Sequence, residues 1–587
     1  MPTLEWIGKK AVVNHHREVP FRLLQCDPAL SVGDPDSGNL LVQGDNLEAL
    51  KGLLPYYAGR VKCIYIDPPY NTGNEGWTYN DNVNSPEIKA WLGKVVGGEL
   101  EDLSRHDKWL CMMYPRLALL RDFLSEAGVI LISIDDFEVH RLRSLLDEIF
   151  GPQNFIAQLV WDKTRKNDAK LFSVGHEYLI VYAKSLPFIK SQKTIWREQK
   201  PGAREILEYF RELKEKLGED FLGIQEGLRT WYKNLPRNHP SKKLSRYKWV
   251  DKYGPWRDRD ISWPGGGGPR YDVLHPTTGI PCKVPERGWG FATPEEMNRQ
   301  IAMGLVEFRA DHTTPPFRKA HLLPTPDEID ANNNTELEDS VTEENDEAAG
   351  LLVMPSIIQK QAQVSVKLLR KIFDGRKVFQ NPKDHEVIMR LIRYVTAPDS
   401  LILDSFSGSG TTGHAVLQLN KEEKGSNRRF ILIEMESTIC REVTAERLRR
   451  VINGYGDQAP LGGGFRFCTL GEPLFNEMGT IRESVKFPEL AAHIFFTETG
   501  SPIPRKVGGE TPLLGVHAGR AIYLLFNGVL GDKRPQGGNV LTREVVAGLP
   551  PHDGPRVVYG ESCRIGQTRL RQENITFKQV PYDVQVR

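Results

Sequence analysis

The chain has 587 residues, 40% of them hydrophobic and 26% charged, with a formal net charge of +1 at pH 7. That length calls for more than one domain, and that composition excludes a disordered or collagen-like chain. Residues 1–6 carry no basic-then-apolar leader and no apolar run reaches the length of a membrane span, so a cytoplasmic protein without a membrane anchor is expected.

Taken in chain order, short apolar runs bounded by turns mark the strands. After an N-terminal arm, residues 1–37, the run 40–42 leads into Gly44-Asp45 and 61–66 leads into Asp67. The run 128–134 leads into Asp135-Asp136, and 155–161 and 178–182 follow with little room for a helix between them. Much later 401–403 precedes Asp404 and 430–433 precedes Glu434. Helical spacing fills 109–126, with Pro115 as a break or a start, and 137–150, 384–395, 411–419 and 438–452. Continuous apolar strands alternating with helices predict an α/β fold with a parallel sheet covered on both faces; the 155/178 pair supplies an antiparallel edge.

Residues 185–378 break this rhythm and read as an inserted domain, with an acidic, disordered linker at 325–350. Residues 38–184 and 379–469 are then the two halves of one domain, and 470–587 a C-terminal α+β region with short strands at 520–526 and 556–559. Ten acids and no Lys or Arg fall within 327–347, so the rest of the chain is moderately basic. The seven cysteines are scattered and contain no C-x-x-C pair, which predicts free thiols with neither a disulfide framework nor a zinc site.

Two strand ends carry the chemistry. After 401–403, Asp404, Phe406-x-Gly408-x-Gly410 and the helix start Thr411-Thr412 form a strand–turn–helix suited to close approach of a ligand to backbone. Glu434, ending the next strand, is placed to accept ribose hydroxyls. The third glycine of a phosphate-binding turn is missing, which fits S-adenosylmethionine (AdoMet), a cofactor without a phosphate. After 61–66 comes Asp67-Pro68-Pro69-Tyr70. Methylating an exocyclic amino group is difficult because its lone pair is delocalised into the base. A carboxylate (Asp67) and a carbonyl (Pro68) that accept the two N–H groups localise that pair, and an aromatic face (Tyr70) holds a base pulled from its stack. Pro68 and Pro69 stiffen the turn. This chemistry requires no metal.

Residues 229–259 hold ten basic side chains against two acids, interleaved with Trp231, Tyr232, Tyr247, Trp249, Tyr253 and Trp256. Arg229, Lys233, Lys242, Lys243, Arg246, Lys248 and Arg257 are the candidate DNA contacts, with the aromatics free to stack on bases.

With Tyr65–Gly73 around it, the catalytic turn resembles the amino-methylating DNA methyltransferases, and its position ahead of the cofactor turn resembles their beta group. Met112-Met113-Tyr114-Pro115-Arg116, Ile132-Ser133-Ile134-Asp135-Asp136, Asn381-Pro382-Lys383-Asp384 and the passage from Gly268 to Trp289 resemble the modification subunits of type III restriction–modification systems. The resemblance implies a Rossmann-like sheet of seven strands, one antiparallel, with an inserted target-recognition domain. It implies AdoMet as cofactor, Asp45 near its adenine, and Phe379 and Asn381 in a flanking motif. His176-Glu177-Tyr178 resembles a base-pocket segment. Asp at position 67 favours adenine N6 by base flipping, since cytosine-N4 relatives usually carry Ser there. The implied partners are double-stranded DNA, a second copy of the chain and a helicase–nuclease subunit, in a bacterial or archaeal cytoplasm. A cytosine-N4 enzyme, a non-catalytic specificity subunit and an RNA substrate are the alternatives.

Overall fold

The computed structural model describes residues 3–34, 36–71, 104–163, 171–263, 265–323, 351–361, 363–476, 478–504, 508–526 and 539–580. The acidic segment expected at 325–350 lies outside the described residues, as do Thr72 and Gly73 of the motif expected to be catalytic. The chain divides into two compact units, Met1–Thr194 with Pro355–Arg587, and Ile195–Met354.

The first unit is built on a ten-stranded sheet. Its strands are β1 (Arg22–Gly33), β2 (Leu40–Gln43), β3 (Val61–Ile66), β4 (Leu124–Ile134), β5 (Phe155–Asp162), β6 (His176–Ala183), β7 (Ile357–Gln359), β8 (Leu401–Asp404), β9 (Arg429–Glu434) and β10 (Gly464–Pro473). Their spatial order is β1-β10-β2-β9-β8-β3-β4-β6-β5-β7. All seven strands read from the sequence lie in it, and β6 runs antiparallel to both β4 and β5. The sheet exceeds the expected seven because β1, β7 and β10 extend its edges. β7 is three residues long and mostly exposed, and β1 is exposed along its middle, so neither carries the continuous apolar signal of a central strand.

The central strands are apolar throughout because helices cover both faces. Val61, Cys63, Ile64 and Ile66 of β3 and Leu403 of β8 are fully buried. Helix α1 (Asn46–Tyr57) starts at Asp45, whose carboxylate accepts the N–H groups of Leu47 and Glu48 at 2.9 and 3.1 Å. Helix α2 (Arg105–Phe123) runs unbroken through Pro115, where the sequence allowed a break; Arg116 donates to the Met112 carbonyl at 2.8 Å within that turn. Helices α3 (Val139–Phe150), α4 (His385–Val395), α5 (Thr411–Glu422) and α6 (Glu446–Asn453) supply the remaining cover.

One expectation is corrected. Cys26 and Cys468 are joined as a disulfide, where free thiols were expected. They stand directly opposite in the antiparallel β1/β10 register, a juxtaposition that their separation of 442 residues conceals. The other five cysteines form no disulfide.

The C-terminal segment adds a four-stranded sheet, Leu513–His517, Arg520–Leu524, Arg556–Gly560 and Ile575–Gln579, with only the first pair antiparallel. It belongs to the same compact unit as the large sheet.

In the second unit, Leu351–Leu352 pairs with Glu198–Gln199 and brings its two ends together. Inside it is an antiparallel sheet ordered Val306–Glu307, Phe317–His321, Gly254–Arg259, Trp249–Asp251. Helices Ala203–Leu217 and Phe221–Asn234 share a core with it, in which Phe210, Leu228 and Tyr232 meet Val250 of the sheet.

Candidate active site

Strands β3 and β8 are parallel neighbours, with Cys63 opposite Ile402 and Ile64 opposite Leu403. Their C-terminal ends therefore emerge side by side and put Asp67 next to the turn that follows Asp404. Sequence positions more than three hundred apart share one sheet edge because β8 and β9 insert between β3 and β2.

Asp67 is largely buried, its side chain 14% exposed, and Lys383 Nζ lies 2.9 Å from its Oδ1. Lys383 also donates to the Tyr70 hydroxyl at 2.6 Å and to Glu177 at 3.3 Å. The Tyr70 hydroxyl donates in turn to Glu177 at 2.9 Å. Lys163 reaches the same Glu177 oxygen at 2.5 Å. Burial pushes the Asp67 carboxyl up, with Lys383 opposing and Glu177 adding to the rise. Burial acts likewise on Glu177, but Lys163 and Lys383 outweigh it and hold that carboxyl below its ordinary value. Lys163 is pushed down to about 8 by burial, against the attraction of Glu177.

The rest of the turn is clamped from α2. Trp109 Nε1 donates to the Pro69 carbonyl at 2.7 Å, while Pro68 is buried. Asn71 takes a left-handed φ of 58°, a conformation asparagine tolerates better than most residues, and donates to buried Glu138 at 2.6 Å. Glu138 also binds His106 and, at 3.4 Å, Arg141.

On the other side, Ser407 N–H donates to the Ile433 carbonyl and Gly410 N–H to Ser407, closing a tight turn ahead of α5. Gly408 and Gly410 have φ of 48° and 75°. A Cβ on Gly410 would come within 3.1 Å of Thr444 Cγ2. Glu434 is buried; its two oxygens accept the N–H groups of Gly408 and Glu436, each at 2.9 Å. Asp404 accepts Phe406 N–H at 3.0 Å and the Thr412 hydroxyl at 2.5 Å, and burial pushes it up to about 7. Arg447 is buried behind the turn and donates to Ser409 O, Ser409 Oγ, Thr411 Oγ1 and His414 Nδ1 at 2.9–3.2 Å. Asn46 links α1 to the Ser405 carbonyl at 3.3 Å, and Asp45 beside it pairs with Arg116 at 3.0 Å. The buried oxygens Ser405 Oγ, Ser407 Oγ and Asp384 Oδ2 find no hydrogen-bond partner among the described residues. Polar atoms left in this way around a glycine turn fit a polar ligand such as AdoMet.

Phe379 is half-buried and Asn381 exposed, both in the loop that delivers Lys383. Lys383 and Glu177, to which no residue pattern assigned an individual role, are the direct partners of Asp67 and Tyr70. The motif words Asn381-Pro382-Lys383-Asp384 and His176-Glu177-Tyr178 were the only trace of them. His176 itself bonds the Tyr178 hydroxyl at 3.0 Å.

In the second unit Lys233, Lys243, Arg246 and Lys248 are exposed, and Arg229 pairs with Glu226 at 2.9 Å. Lys242 donates to the Tyr232 carbonyl and, at 3.2 Å, to that of Lys233, so it caps a helix end. Arg257 is buried, 5.9 Å from the Tyr247 ring centre. Tyr232, Tyr247 and Trp256 are core residues, and Trp231 stacks on Tyr209 at 4.9 Å.

A family model described as DNA methylase matches residues 61–446, from β3 into α6. The chain belongs to the DNA methylase family. The chain is 31% identical over 473 residues to the EcoP15I Mod subunit of Escherichia coli, a type III restriction-modification enzyme, covering 77% of this chain and 66% of that one. It is 30% identical over 478 residues to the EcoPI Mod subunit of Escherichia phage P1, covering 76% and 65%. The type II methyltransferase M.KpnI of Klebsiella pneumoniae is 28% identical over 467 residues, covering 73% and 91%. The chain thus spans less than two thirds of the length of these Mod subunits. Among solved structures it is similar to the cytosine-N4-specific PvuII DNA methyltransferase, at TM-score 0.31 and 11% identity over 71% of this chain and 88% of that one. It is also similar to the M1.HpyAVI–SAM complex, at TM-score 0.28 and 12% identity over 70% and 98%.

Proposed function

We propose that this DNA methylase transfers a methyl group from AdoMet to adenine N6 in double-stranded DNA, as the modification subunit of a type III restriction–modification system. The observation that carries the proposal is the meeting of two turns at adjacent strand ends, Asp67–Tyr70 after β3 and Phe406–Gly410 after β8. AdoMet, when bound, supplies an activated methyl group on a sulfonium. Ser405, Ser407, the glycine turn and Glu434 would hold it, with Asp45, Phe379 and Asn381 at its margins.

The protein's own work lies on the base. Asp67 accepts one N6–H, the Pro68 carbonyl accepts the other, and the nitrogen lone pair is localised for attack. Tyr70 offers a ring face to the extruded adenine, and Pro68 and Pro69 fix the acceptors in place beforehand. No helix among the described residues is long and apolar enough to cross a membrane. The insert, 185–378 by composition, is the target-recognition domain, reading DNA with exposed Lys233, Lys243, Arg246 and Lys248. A helicase–nuclease subunit, a second copy of the chain and a cytoplasmic site of action complete the proposal.

The test is transfer from methyl-labelled AdoMet to duplex DNA, followed by base analysis of the product and sequencing of the methylated sites. N6-methyladenine in wild type, and AdoMet binding without transfer in Asp67→Ala, support the reading. N4-methylcytosine replaces the substrate base, and near-normal turnover by Asp67→Ala refutes the role of the carboxylate.

A further inference from the structure

The catalytic turn does not stand alone. Two carboxylates, Asp67 and Glu177, and two ammonium groups, Lys383 and Lys163, are packed together with the Tyr70 hydroxyl in a largely buried space. Lys383 is the hub of this cluster. Its ammonium donates to the Tyr70 hydroxyl and to Glu177 and forms an ion pair with Asp67 at 2.9 Å from Oδ1, a buried oxygen that makes no hydrogen bond among the described residues. It also lies 4.7 Å from the Tyr70 ring centre. Its main chain belongs to the cofactor side, since the Lys383 carbonyl accepts from Thr411 Oγ1 at 3.4 Å. One residue thus ties the acceptor carboxylate, the stacking ring and the cofactor helix together.

We propose that Lys383 and Glu177 are paired positioning residues with opposite electrostatic effects: Lys383 keeps Asp67 ionised and aimed, and Glu177 holds Lys383 and the Tyr70 hydroxyl in register. The inference rests on the role given to Asp67 above. An isolated buried carboxylate takes up a proton, and a protonated Asp67 accepts poorly from an amino group. The nearest approach of Lys383 to Asp67 is at Oδ1. Glu177 works against ionisation of Asp67 through its own charge, yet its bonds to Lys383 and Tyr70 orient both. The other groups facing Asp67 are Lys163, which is bound to Glu177, Tyr70 and Tyr65, which stay neutral through burial, and Asp404 on the neighbouring strand.

The experiment compares wild type, Lys383→Met, Lys383→Arg and Glu177→Gln as full-length protein. Single-turnover methyl transfer is measured from pH 5 to 9, with AdoMet affinity measured directly. Lys383→Met should lose roughly 100-fold in rate and move the acidic limb of the profile up by about one pH unit or more. Glu177→Gln should also be slower but move that limb down. Lys383→Arg should recover at least about tenfold of the lost rate, and AdoMet affinity should stay within about threefold throughout.

A second readout needs no turnover. For each protein, the stability difference from its Asp67→Asn counterpart is followed from pH 4 to 8. Its bend should come at higher pH in Lys383→Met and at lower pH in Glu177→Gln than in wild type. Limbs and bends that stay in place, or move in the same direction in both variants, overturn the inference. Absence of transfer in wild type defeats the proposed function instead, and the stability readout still decides on the pairing.

Discussion

Arg447→Met is the most discriminating change at the turn proposed to hold AdoMet. The guanidinium is buried behind Ser407–Thr411, and burial pushes it down to about 10, so keeping it charged costs about 3 kcal/mol at neutral pH. Methionine removes that cost and fills the stem's space. The hydroxyls of Ser409 and Thr411, 3.2 Å apart, remain able to bond each other. The Ser409 carbonyl and His414 Nδ1 lose a donor, at about 1–3 kcal/mol each. The two sides nearly cancel, so urea denaturation should show a net loss of only about 1–2 kcal/mol. Cofactor binding should suffer more. Freeing one or two turn residues that AdoMet must then reorder costs about 1.4–2.8 kcal/mol in all, which raises the Kd roughly 10- to 100-fold. Calorimetric titration with AdoMet measures it. A Kd within twofold of wild type would refute the claim that Arg447 orders the turn.

Three further outcomes follow. Gly410→Ala should cost about 1–2 kcal/mol in urea denaturation and weaken AdoMet binding, because φ is 75° and the new methyl lies 3.1 Å from Thr444 Cγ2. Asp404 keeps its proton to about pH 7 when folded but loses it near its ordinary value when unfolded, so stability falls as pH rises through that window and levels off above it. Asp404→Asn should remove this slope, worth about 4 kcal/mol, and gain on wild type as pH rises from 4 to 7, read by denaturation at each pH. Charge reversal at exposed Lys243 and Arg246 should weaken DNA binding and flatten its salt dependence by about two in slope, whereas Arg257→Met should lower stability and leave that slope unchanged.

The strands that build the site were legible because buried parallel strands are apolar on both faces: 61–66 and 401–404 have no other way to be stable in water. The acids that end them were legible for the complementary reason, since Asp67, Asp404 and Glu434 stand where the apolar runs stop. Lys383 and Glu177 were not, because their roles arise from contacts across 316 and 206 residues of chain, which no local pattern encodes. The aromatic residues among the basic cluster misled in a different way. Tyr232 and Trp256 lie among cations as surface residues would, yet the helix and hairpin periods turn them into the core. β1 was missed because only its ends are shielded, and with it the Cys26–Cys468 pairing.

The strand order has a consequence for synthesis. β2 and β3 leave the ribosome early, but the two places between them belong to β8 and β9, which follow only after the whole second unit has been made. Until then the growing polypeptide holds an open slot with bare hydrogen-bonding edges on both sides, and a long loop must close before it is filled. A half-made chain therefore lacks the meeting of the two turns and is vulnerable to aggregation, and refolding from denaturant should be slow for the same reason.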